Sequence, residues 1–266
     1  MQATQRYLIT GVARGVGYAT AEKLIQAGHQ VVGLDRDAPE VDPGLEHFHQ
    51  VDLNDTKALD AVVEALGGRF DGLCNIAGLP PRDGLESVIL RVNFLAVREL
   101  TRQVLPLLNP GASIVNLASR AGQAWQTNID QVKRLSQLDL SSDVNAFIEA
   151  EGIDPTRAYN LSKEALIAWT LAQTEVMLQR GIRINSLSPG AVSTAILEDF
   201  TRAFGDKVVR NLQRAGRAGK PEEAADAVVY MLSQQSTWLK GTDLVLDGGM
   251  SAFAAVEQFG LDCMNQ

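Results

Sequence analysis

The sequence predicts one α/β domain, a doubly wound parallel sheet of about seven strands with helices on both faces. Short apolar strands alternate with helical segments along nearly all of the 266 residues, and polar or glycine-rich turns follow the strands. Parallel strands need such helical crossovers, because the chain must return along one face of the sheet before the next strand begins. Hydrophobic residues make up 45% of the chain and charged residues 21%, which suits a single large core.

Composition argues against several classes of function. The net charge of −8 argues against a nucleic-acid partner, because phosphate backbones are bound by basic surfaces. Cys74 and Cys263 are too few for a disulfide framework, and the histidines lack metal-ligand spacing, so no metal site is expected. No segment approaches the length of a transmembrane span and no secretory signal pattern is present, so we expect a cytoplasmic protein without a membrane partner.

A glycine-rich turn separates the first predicted strand, 7–9, from a helix that runs to Ala27. Its sequence is Thr10-Gly11-Val12-Ala13-Arg14-Gly15-Val16-Gly17. Glycines let the backbone approach a pyrophosphate closely, and the helix N-terminus offers unpaired N–H groups with a partial positive charge. Strand, glycine turn and helix in this order predict a dinucleotide-binding Rossmann fold, although the spacing GxxxGxG differs from the GxGxxG fingerprint.

The second predicted strand, 30–34, ends in Asp35, eighteen residues after Gly17. A carboxylate at this place accepts hydrogen bonds from the adenosine ribose hydroxyls and repels a 2′-phosphate. Arg14 and Arg36 favour the opposite choice, because a guanidinium near the ribose binds the phosphate of NADP. We expect NAD as the cofactor, since the negative charge of the Asp35 carboxylate repels the 2′-phosphate of NADP at short range.

Small or polar residues stand at the carboxyl ends of the next predicted strands: Asp52 and Leu53, then Asn75, Ala77 and Gly78, then Ser119. Ligands of parallel α/β sheets bind outside these ends, so the residues are candidates for the same site. A long helix is predicted over about 85–108, with Asn93 in an apolar context.

Tyr159 and Lys163 lie four residues apart in a predicted helix that begins at Asp154-Pro155. This spacing places both side chains on one helical face. An ammonium beside a phenol favours the phenolate and lowers the tyrosine pKa from its reference near ~10. The pair is therefore expected to work as a general acid and base.

Nine motifs make the chain resemble the classical short-chain dehydrogenase/reductase family over essentially residues 5 to 250. They are Thr10-Gly11-x-x-x-Gly15-x-Gly17, Asp52-Leu53, Asn75-x-Ala77-Gly78, Asn93, Ser119, Tyr159-x-x-x-Lys163, Ser188-Pro189-Gly190 with Thr194, Arg217-x-Gly219-x-Pro221-Glu222-Glu223 and Asp247-Gly248-Gly249. The stretch Cys74-Asn75-Ile76-Ala77-Gly78 departs from the family pattern, which usually has two adjacent asparagines there, but Asn75 and the Ala-Gly pair remain.

The resemblance implies a role for each catalytic candidate. Tyr159 would give or take the proton of the reacting oxygen, and Ser119 would hydrogen-bond the same oxygen. Lys163 would lower the tyrosine pKa and hold the nicotinamide ribose, while Asn93 would anchor a water that connects Lys163 to solvent. The segment after the sixth strand would meet the nicotinamide carboxamide through Pro189, Gly190, Val192 and Thr194.

Ser119 and Tyr159 are 40 residues apart, many more than the family usually has between them. The extra segment, about 122–152, contains two stretches whose apolar spacing predicts short amphipathic helices. Such an insertion is most similar to that of bacterial 3α-hydroxysteroid dehydrogenase/carbonyl reductases and coniferyl alcohol dehydrogenases. It would lie near the helices through which many members form tetramers, so a homodimer is expected; the alternative is a surface elaboration without a role in assembly.

A mobile lid is predicted over about 195–215, and the tail 251–266 would cover either a dimer interface or the mouth of the site. The lid has an apolar stripe of Ile196, Leu197, Phe200 and Phe204. This stripe would suit an aromatic or alicyclic alcohol, or it would only dock the lid on the core. The lid also has basic residues, Arg202, Lys207, Arg210 and Arg214. They would recognise an acidic substrate, although such a charge run is most often a solvated helix face.

Taken together, these features predict an NAD-dependent alcohol dehydrogenase or carbonyl reductase whose small-molecule substrate is a secondary alcohol or ketone, cyclic or aromatic. One alternative is an NADP-dependent biosynthetic reductase, such as one acting on 3-oxoacyl groups. An alternative of another class is a dinucleotide-binding sensor without turnover. The sensor is disfavoured because Asn93, Ser119, Tyr159 and Lys163 are all present.

Overall fold

A computed structural model describes residues 3–194 and 197–261. Its centre is a seven-stranded parallel sheet in the order β3-β2-β1-β4-β5-β6-β7, which confirms the predicted fold class. The strands are β1 (Arg6–Thr10), β2 (Gln30–Asp35), β3 (His47–Gln50), β4 (Phe70–Asn75), β5 (Leu108–Leu117), β6 (Arg183–Pro189) and β7 (Asp243–Leu246). The direction of strand progression reverses between β1 and β4, and this switch opens a crevice at their carboxyl ends.

Helices cover both faces of the sheet. They are α1 (Gly15–Gln26), α2 (Thr56–Ala65), α3 (Glu86–Leu90), α4 (Ala96–Val104), α5 (Ile129–Ser136), α6 (Val144–Glu151), α7 (Pro155–Leu178), α8 (Leu197–Phe204), α9 (Asp206–Ala215), α10 (Pro221–Leu232) and α11 (Met250–Phe259). None of the helices among the described residues is both long and apolar enough to cross a membrane.

The strand β1 separates two hydrophobic cores. Tyr7 and Ile9 pack with Met231 in the core beneath α1 and α10. Leu8, between them in sequence, packs with Phe94 and Leu161 in the core beneath α4 and α7. Successive side chains of a strand point to opposite faces, so an uninterrupted apolar strand of this kind requires helices on both sides.

Helix α7 begins where the sequence predicts. Asp154 precedes it, and its carboxylate accepts a hydrogen bond of 2.6 Å from the backbone N–H of Arg157. Pro155 is the first helical residue, where its missing N–H costs nothing. The two helices predicted for the insertion are α5 and α6, and the second ends at Gly152 with φ of 62°.

The helix expected over 85–108 is interrupted. A π-helical turn, Arg91–Leu95, joins α3 to α4, and the chain then enters β5 through a short 3₁₀ turn, Leu105–Leu107. Single π turns inside α-helices occur frequently at functional sites. This turn contains the fully buried Asn93.

The glycine turn gives a direct test of backbone packing. A Cβ built on Gly17 would lie 2.0 Å from the carbonyl oxygen of Gly11, so Gly17→Ala should force the turn apart. We expect it to lower the free energy of unfolding by at least about 1–3 kcal/mol, the usual range for overpacking. The measurement is urea unfolding followed by circular dichroism.

Gly67→Ala is the matched control for this substitution, because a Cβ at Gly67 meets nothing within 4 Å. It should leave stability unchanged or raise it slightly by restricting the unfolded chain. Equal stability of the two variants would contradict the close approach of α1 to the end of β1.

Candidate active site

A cleft of about 1000 Å³ lies at the carboxyl edge of the sheet. The predicted site residues that line it are Gly11, Arg14, Gly15, Val16, Gly17, Asp35, Asp52, Leu53, Ala77, Gly78, Ser119, Tyr159, Lys163, Pro189, Gly190, Val192 and Thr194. Asn75 and Asn93, which were also predicted for the site, are not among its lining residues. The structure therefore brings together nearly all the candidates from seven separate stretches of sequence.

The glycine turn forms the floor of the cleft with its backbone, and a side chain at Gly11 would collide with the neighbouring strand end. Gly11 has φ of 80°, and a Cβ on it would lie 2.8 Å from the amide nitrogen of Ala77. Gly15 has φ of 60° and is the first residue of α1. Because these glycines expose the N-terminus of α1, the turn can accept a pyrophosphate on its N–H groups. The donor set present fits a dinucleotide.

Thr10 ties this turn to the neighbouring strand. Its hydroxyl oxygen accepts hydrogen bonds from the N–H groups of Ile76, at 3.0 Å, and Ala77, at 3.1 Å. The threonine was noted in the sequence only as part of a motif. Its buried hydroxyl holds the ends of β1 and β4 together, and so fixes both sides of the cleft floor.

Asn75 lies beneath the cleft, and its predicted contact with the cofactor stays a prediction. The Asn75 side chain is buried beneath the cleft and donates to Thr101, at 3.1 Å, and to Asn116, at 2.8 Å. Asn116 in turn donates to Thr170 on α7 at 2.9 Å. This buried chain of polar groups links α4, β4, β5 and α7, so Asn75 supports the sheet below the site.

Asp35 lies at the opposite end of the cleft from the tyrosine. One of its carboxylate oxygens accepts from the N–H of Ala13 at 2.8 Å, and the other accepts from the N–H of Asp37 at 3.1 Å. Asp52 is exposed, and its carboxylate accepts from the N–H of Asn54 at 2.9 Å, whereas Leu53 is buried. Both aspartates therefore have fixed orientations and retain lone pairs for a ligand.

Tyr159, Ser119 and Lys163 meet in the wall of the cleft. Ser119 hydrogen-bonds the Tyr159 side chain, and its hydroxyl oxygen also accepts from the N–H of Ala121 at 3.2 Å. The Lys163 ammonium donates to the Leu117 carbonyl at 2.8 Å and lies 5.9 Å from the centre of the Tyr159 ring. The spacing of one helical turn thus puts both side chains on one face, as predicted.

Burial dominates the ionisation of this pair. Burial raises the pKa of Tyr159 to about 12, although the hydrogen bond from Ser119 opposes the rise. Burial also lowers the pKa of Lys163 to about 8. The prediction that the lysine lowers the tyrosine pKa below its ordinary value is wrong for this structure, because both groups lose the water that stabilises their charged forms.

Asn93 lies behind the lysine. Its side-chain oxygen accepts from the N–H of Leu79 at 2.7 Å, and its amide donates to the Leu79 carbonyl at 3.0 Å and to Ser162 at 3.2 Å. A Cβ on Gly78 would lie 3.3 Å from the Asn93 oxygen and 3.4 Å from the Lys163 nitrogen, so the two side chains are neighbours. A water between them stays a prediction.

The lid predicted from the sequence corresponds to α8 and α9. The Phe200 ring packs edge-on against the Tyr159 ring, with centroids 5.0 Å apart. Arg82, in the loop after β4, binds the Asp199 carboxylate of the lid at 2.7 Å. Ile196 lies outside the described residues, as do the side chains of Phe204 and Lys207.

The three basic lid residues whose side chains the structure describes do not line the cleft. Arg202, Arg210 and Arg214 are absent from its lining, and Arg214 instead forms an ion pair with Glu257 and stacks on the Phe253 ring. This position removes support for an acidic substrate held by these residues.

Other charged residues, which the sequence did not single out, do line the cleft. Arg157 binds the buried Glu164 carboxylate through two nitrogens, at 2.9 and 2.6 Å, and donates to Gln131 of α5 at 2.7 Å. Asn128 of the insertion also donates to Glu164, at 2.7 Å. These bonds join the insertion to α7 next to Tyr159, so the insertion forms one wall of the cleft.

The C-terminal helix forms another wall. Arg120 lies 3.3 Å from the Asp247 carboxylate, whose oxygens also accept from the N–H groups of Gly249 and Ser251. Ser251 and Ala254 of α11 face the cleft. The described part of the tail therefore lines the cleft, and its predicted place over the mouth of the site stays a prediction; Cys263 lies outside the described residues.

The lowered lysine pKa makes a prediction about stability. In the unfolded chain Lys163 keeps its proton up to its ordinary pKa of 10.5, whereas the folded protein releases it near pH 8. The unfolded state then binds more protons between these values, so stability rises with pH in this window. We expect the free energy of unfolding of the wild type, relative to Lys163→Met, to rise by about 3 kcal/mol from pH 8 to 10.5.

Urea unfolding of both proteins over this pH range measures the difference. The raised pKa of Tyr159 lowers the free energy of unfolding above pH 10. This effect is present in both the wild type and Lys163→Met, so it cancels in their difference. Lys133→Met, which removes an exposed lysine, is the control and should show no trend. A flat difference for Lys163→Met as well would contradict the burial of the ammonium.

Comparisons with known proteins agree with this geometry. The family model described as short chain dehydrogenase matches residues 5–129, and one described as Enoyl-(Acyl carrier protein) reductase matches residues 143–251. A coniferyl-alcohol dehydrogenase from Pseudomonas sp. strain HR199 is 33% identical over 255 residues, covering 95% of this chain and 99% of that protein. A 3-alpha-hydroxysteroid dehydrogenase/carbonyl reductase from Comamonas testosteroni is 28% identical over 259 residues, covering 95% and 98%.

Among solved structures, the 3-alpha-hydroxysteroid dehydrogenase from Pseudomonas sp. B-0831, complexed with NADH, is similar with a TM-score of 0.79. It is 28% identical, and the match covers 94% of this chain and 98% of that chain. The glycine turn, the Ser119, Tyr159 and Lys163 cluster and these full-length similarities lead to one conclusion: the chain belongs to the short-chain dehydrogenase/reductase family and is an oxidoreductase of the kind that binds a nicotinamide dinucleotide.

Proposed function

We propose that this enzyme transfers a hydride between NAD and a secondary alcohol or ketone, cyclic or aromatic, with Tyr159 as the general acid and base. The observation that carries the proposal is the contact of three groups in the cleft wall. Ser119 hydrogen-bonds Tyr159, and Lys163 lies on the same face of α7 one turn later. All three residues line the same cleft as the glycine turn.

The chain's own residues offer a complete holder for the cofactor. The turn Gly11–Gly17 would take the pyrophosphate, and the fixed Asp35 carboxylate would accept from the adenosine ribose hydroxyls. Lys163 and the segment from Pro189 to Thr194 line the other end, where the nicotinamide half would lie. When bound, the nicotinamide ring supplies the hydride donor or acceptor.

Tyr159 and Ser119 would handle the proton. A pKa of about 12 keeps the phenol protonated at neutral pH, the form that can donate to a carbonyl oxygen during reduction. The Ser119 hydroxyl, which touches the same phenol, would hydrogen-bond the reacting oxygen and orient it. Alcohol oxidation needs the phenolate, so its rate should increase at alkaline pH.

Lys163 supplies the positive charge next to this proton transfer. With a pKa of about 8, the Lys163 side chain is protonated in most molecules at pH 7. The charged form stabilises developing phenolate, because an opposite charge nearby lowers the cost of ionising a buried phenol. Asn93, which fixes Leu79 and Ser162 beside the lysine, would hold the water of a proton path to solvent.

The walls of the substrate end support a ring-shaped substrate. Apolar surface in the cleft comes from Phe200, which packs on the Tyr159 ring, and from Val88, Met250, Ala254 and Ala255. Such walls exclude water and favour flat or alicyclic groups over charged chains. The two relatives named for coniferyl alcohol and for a 3-alpha-hydroxysteroid act on ring-containing molecules, which further supports this class.

Replacing the tyrosine tests the proposal. Tyr159→Phe should lower NAD-dependent oxidation of alcohols by at least about 10²–10⁴-fold, the usual contribution of a general acid or base. The substrate comes from a screen of cyclic and aromatic secondary alcohols, followed by NADH absorbance at alkaline pH. Binding of NADH should persist, because the glycine turn and Asp35 are untouched.

Tyr230→Phe is the control, since this tyrosine is exposed on α10 and does not line the cleft. Its activity should equal that of the wild type. Retained turnover in Tyr159→Phe would overturn the proposed proton transfer.

We also propose that the chain forms a homodimer. Helix α5 packs on α7 and α6 packs on α3, so the insertion covers helices on one face of the domain. The last strand, β7, is an edge strand, and Val245 and Leu246 on it are exposed. An edge strand with apolar side chains is a template for pairing with a second copy.

Light scattering should give twice the mass of one chain. Leu246→Asp should shift the protein towards monomer, because it places a charge in the proposed interface. Val41→Asp, at a more exposed apolar residue in the loop between β2 and β3, is the control and should remain dimeric. A tetrameric wild type would show that the insertion does not block further packing.

A further inference from the structure

Four charged side chains share the end of the cleft where the adenosine half of a dinucleotide would lie. Arg14 comes from the glycine turn, and Asp35, Arg36 and Asp37 follow β2; all four line the cleft. Two carboxylates and two guanidiniums cancel in net charge. Whether this end of the site attracts or repels a phosphate therefore depends on which of the four charged groups are paired with each other.

Asp35 is held by the backbone and not by either arginine. Its two oxygens accept from the N–H groups of Ala13 and Asp37 at 2.8 and 3.1 Å. The same bond that fixes Asp35 fixes the backbone of Asp37. The two carboxylates consequently form one unit at the end of β2.

Asp37 forms a hydrogen-bonded ion pair with Arg14 and a longer ion pair with Arg36. An Arg14 guanidinium nitrogen lies 2.7 Å from one oxygen of Asp37, and the Arg36 Nε lies 3.8 Å from the other. Arg14 immediately precedes α1, but its side chain reaches Asp37 and not the helix terminus. The one carboxylate that is free of a backbone donor thus engages the two groups that would otherwise suit a phosphate.

The chemistry of these groups decides between the two nicotinamide cofactors. A free guanidinium beside the adenosine ribose binds a 2′-phosphate through paired hydrogen bonds. A guanidinium already bound to a carboxylate must first give up that bond, and the carboxylate itself repels the phosphate. Arg14 and Arg36 alone would therefore favour NADP, and their pairing with Asp37 removes this preference.

We propose that Asp37 is a specificity-determining residue that holds Arg14 and Arg36 and so completes the selection of NAD that Asp35 begins. The inference rests on the proposed function, because it takes the adenosine ribose to lie at Asp35. Asp37 acts through the two arginines, and is a positioning residue for them. The arginine and aspartate side chains of the closer pair are 64% and 45% exposed, so the pair adds little to stability and can be replaced without unfolding the protein.

The test measures binding of NADH and NADPH, without substrate, by titration of nucleotide fluorescence. In Asp37→Asn, both arginines are released, and the Kd for NADPH should fall about tenfold, the value of one charge-assisted hydrogen bond. The Kd for NADH should change less than about twofold, because NADH carries no 2′-phosphate for the released arginines to bind. The NADPH gain should shrink as salt is raised.

A second background separates release of the arginines from loss of the carboxylate's own charge. In a chain that carries Arg14→Gln and Arg36→Gln, Asp37→Asn should lose most of its effect on NADPH. Glu40→Gln is the control for net charge, since Glu40 is exposed on the same loop and does not line the cleft. It should leave both Kd values unchanged.

The outcomes distinguish the inference from the proposed function. An unchanged ratio of the two Kd values in Asp37→Asn, or an equal gain in the background without arginines, overturns the role of Asp37. A wild type that binds NADPH more tightly than NADH overturns the NAD preference itself, whatever Asp37→Asn does. Loss of folding would appear in circular dichroism, and Asp37→Ser then provides the second variant for the same titration.

Discussion

The close approach of three backbone segments is the constraint on which the site depends. At the end of β1 the turn carbonyl of Gly11 touches α1 at Gly17, and the turn itself touches Ala77 at the end of β4. A second close approach lies across the cleft, where a Cβ on Gly122 would be 2.7 Å from the Lys163 carbonyl. These contacts set the separation between the cofactor floor and the helix that carries Tyr159.

A rigid frame of this kind permits the burial of two ionisable groups side by side. Tyr159 and Lys163 are both nearly inaccessible to water. Burial raises the pKa of the tyrosine and lowers that of the lysine, so it favours the neutral form of each side chain. A phenol that holds its proton and an ammonium that gives one up easily are poised for exchange with a reacting oxygen. Ser119 and the Leu117 carbonyl supply the hydrogen bonds that replace lost water.

The remaining walls come from segments outside the sheet. The insertion is joined to α7 by the hydrogen bonds Arg157–Gln131 and Asn128–Glu164. The lid is joined to the body by the ion pair Arg82–Asp199, and the start of α11 by the ion pair Arg120–Asp247. Each joint includes at least one charged side chain, whereas the sheet below is held by apolar packing and by the buried Asn75 to Thr170 chain. Substrate choice can therefore change at the rim while the chemistry beneath it is kept.

The sequence by itself determined the sheet, the glycine turn, Asp35 and the shared face of Tyr159 and Lys163, because strand alternation, turn chemistry and helical spacing are local properties. Only the tertiary structure decided that Asn75 lies under the cleft, that burial raises the Tyr159 pKa, and that Arg214 faces away from the site. It alone also revealed the pairing of Asp37 with Arg14. Burial and ion pairing depend on groups that are distant in sequence and become neighbours only when the chain folds.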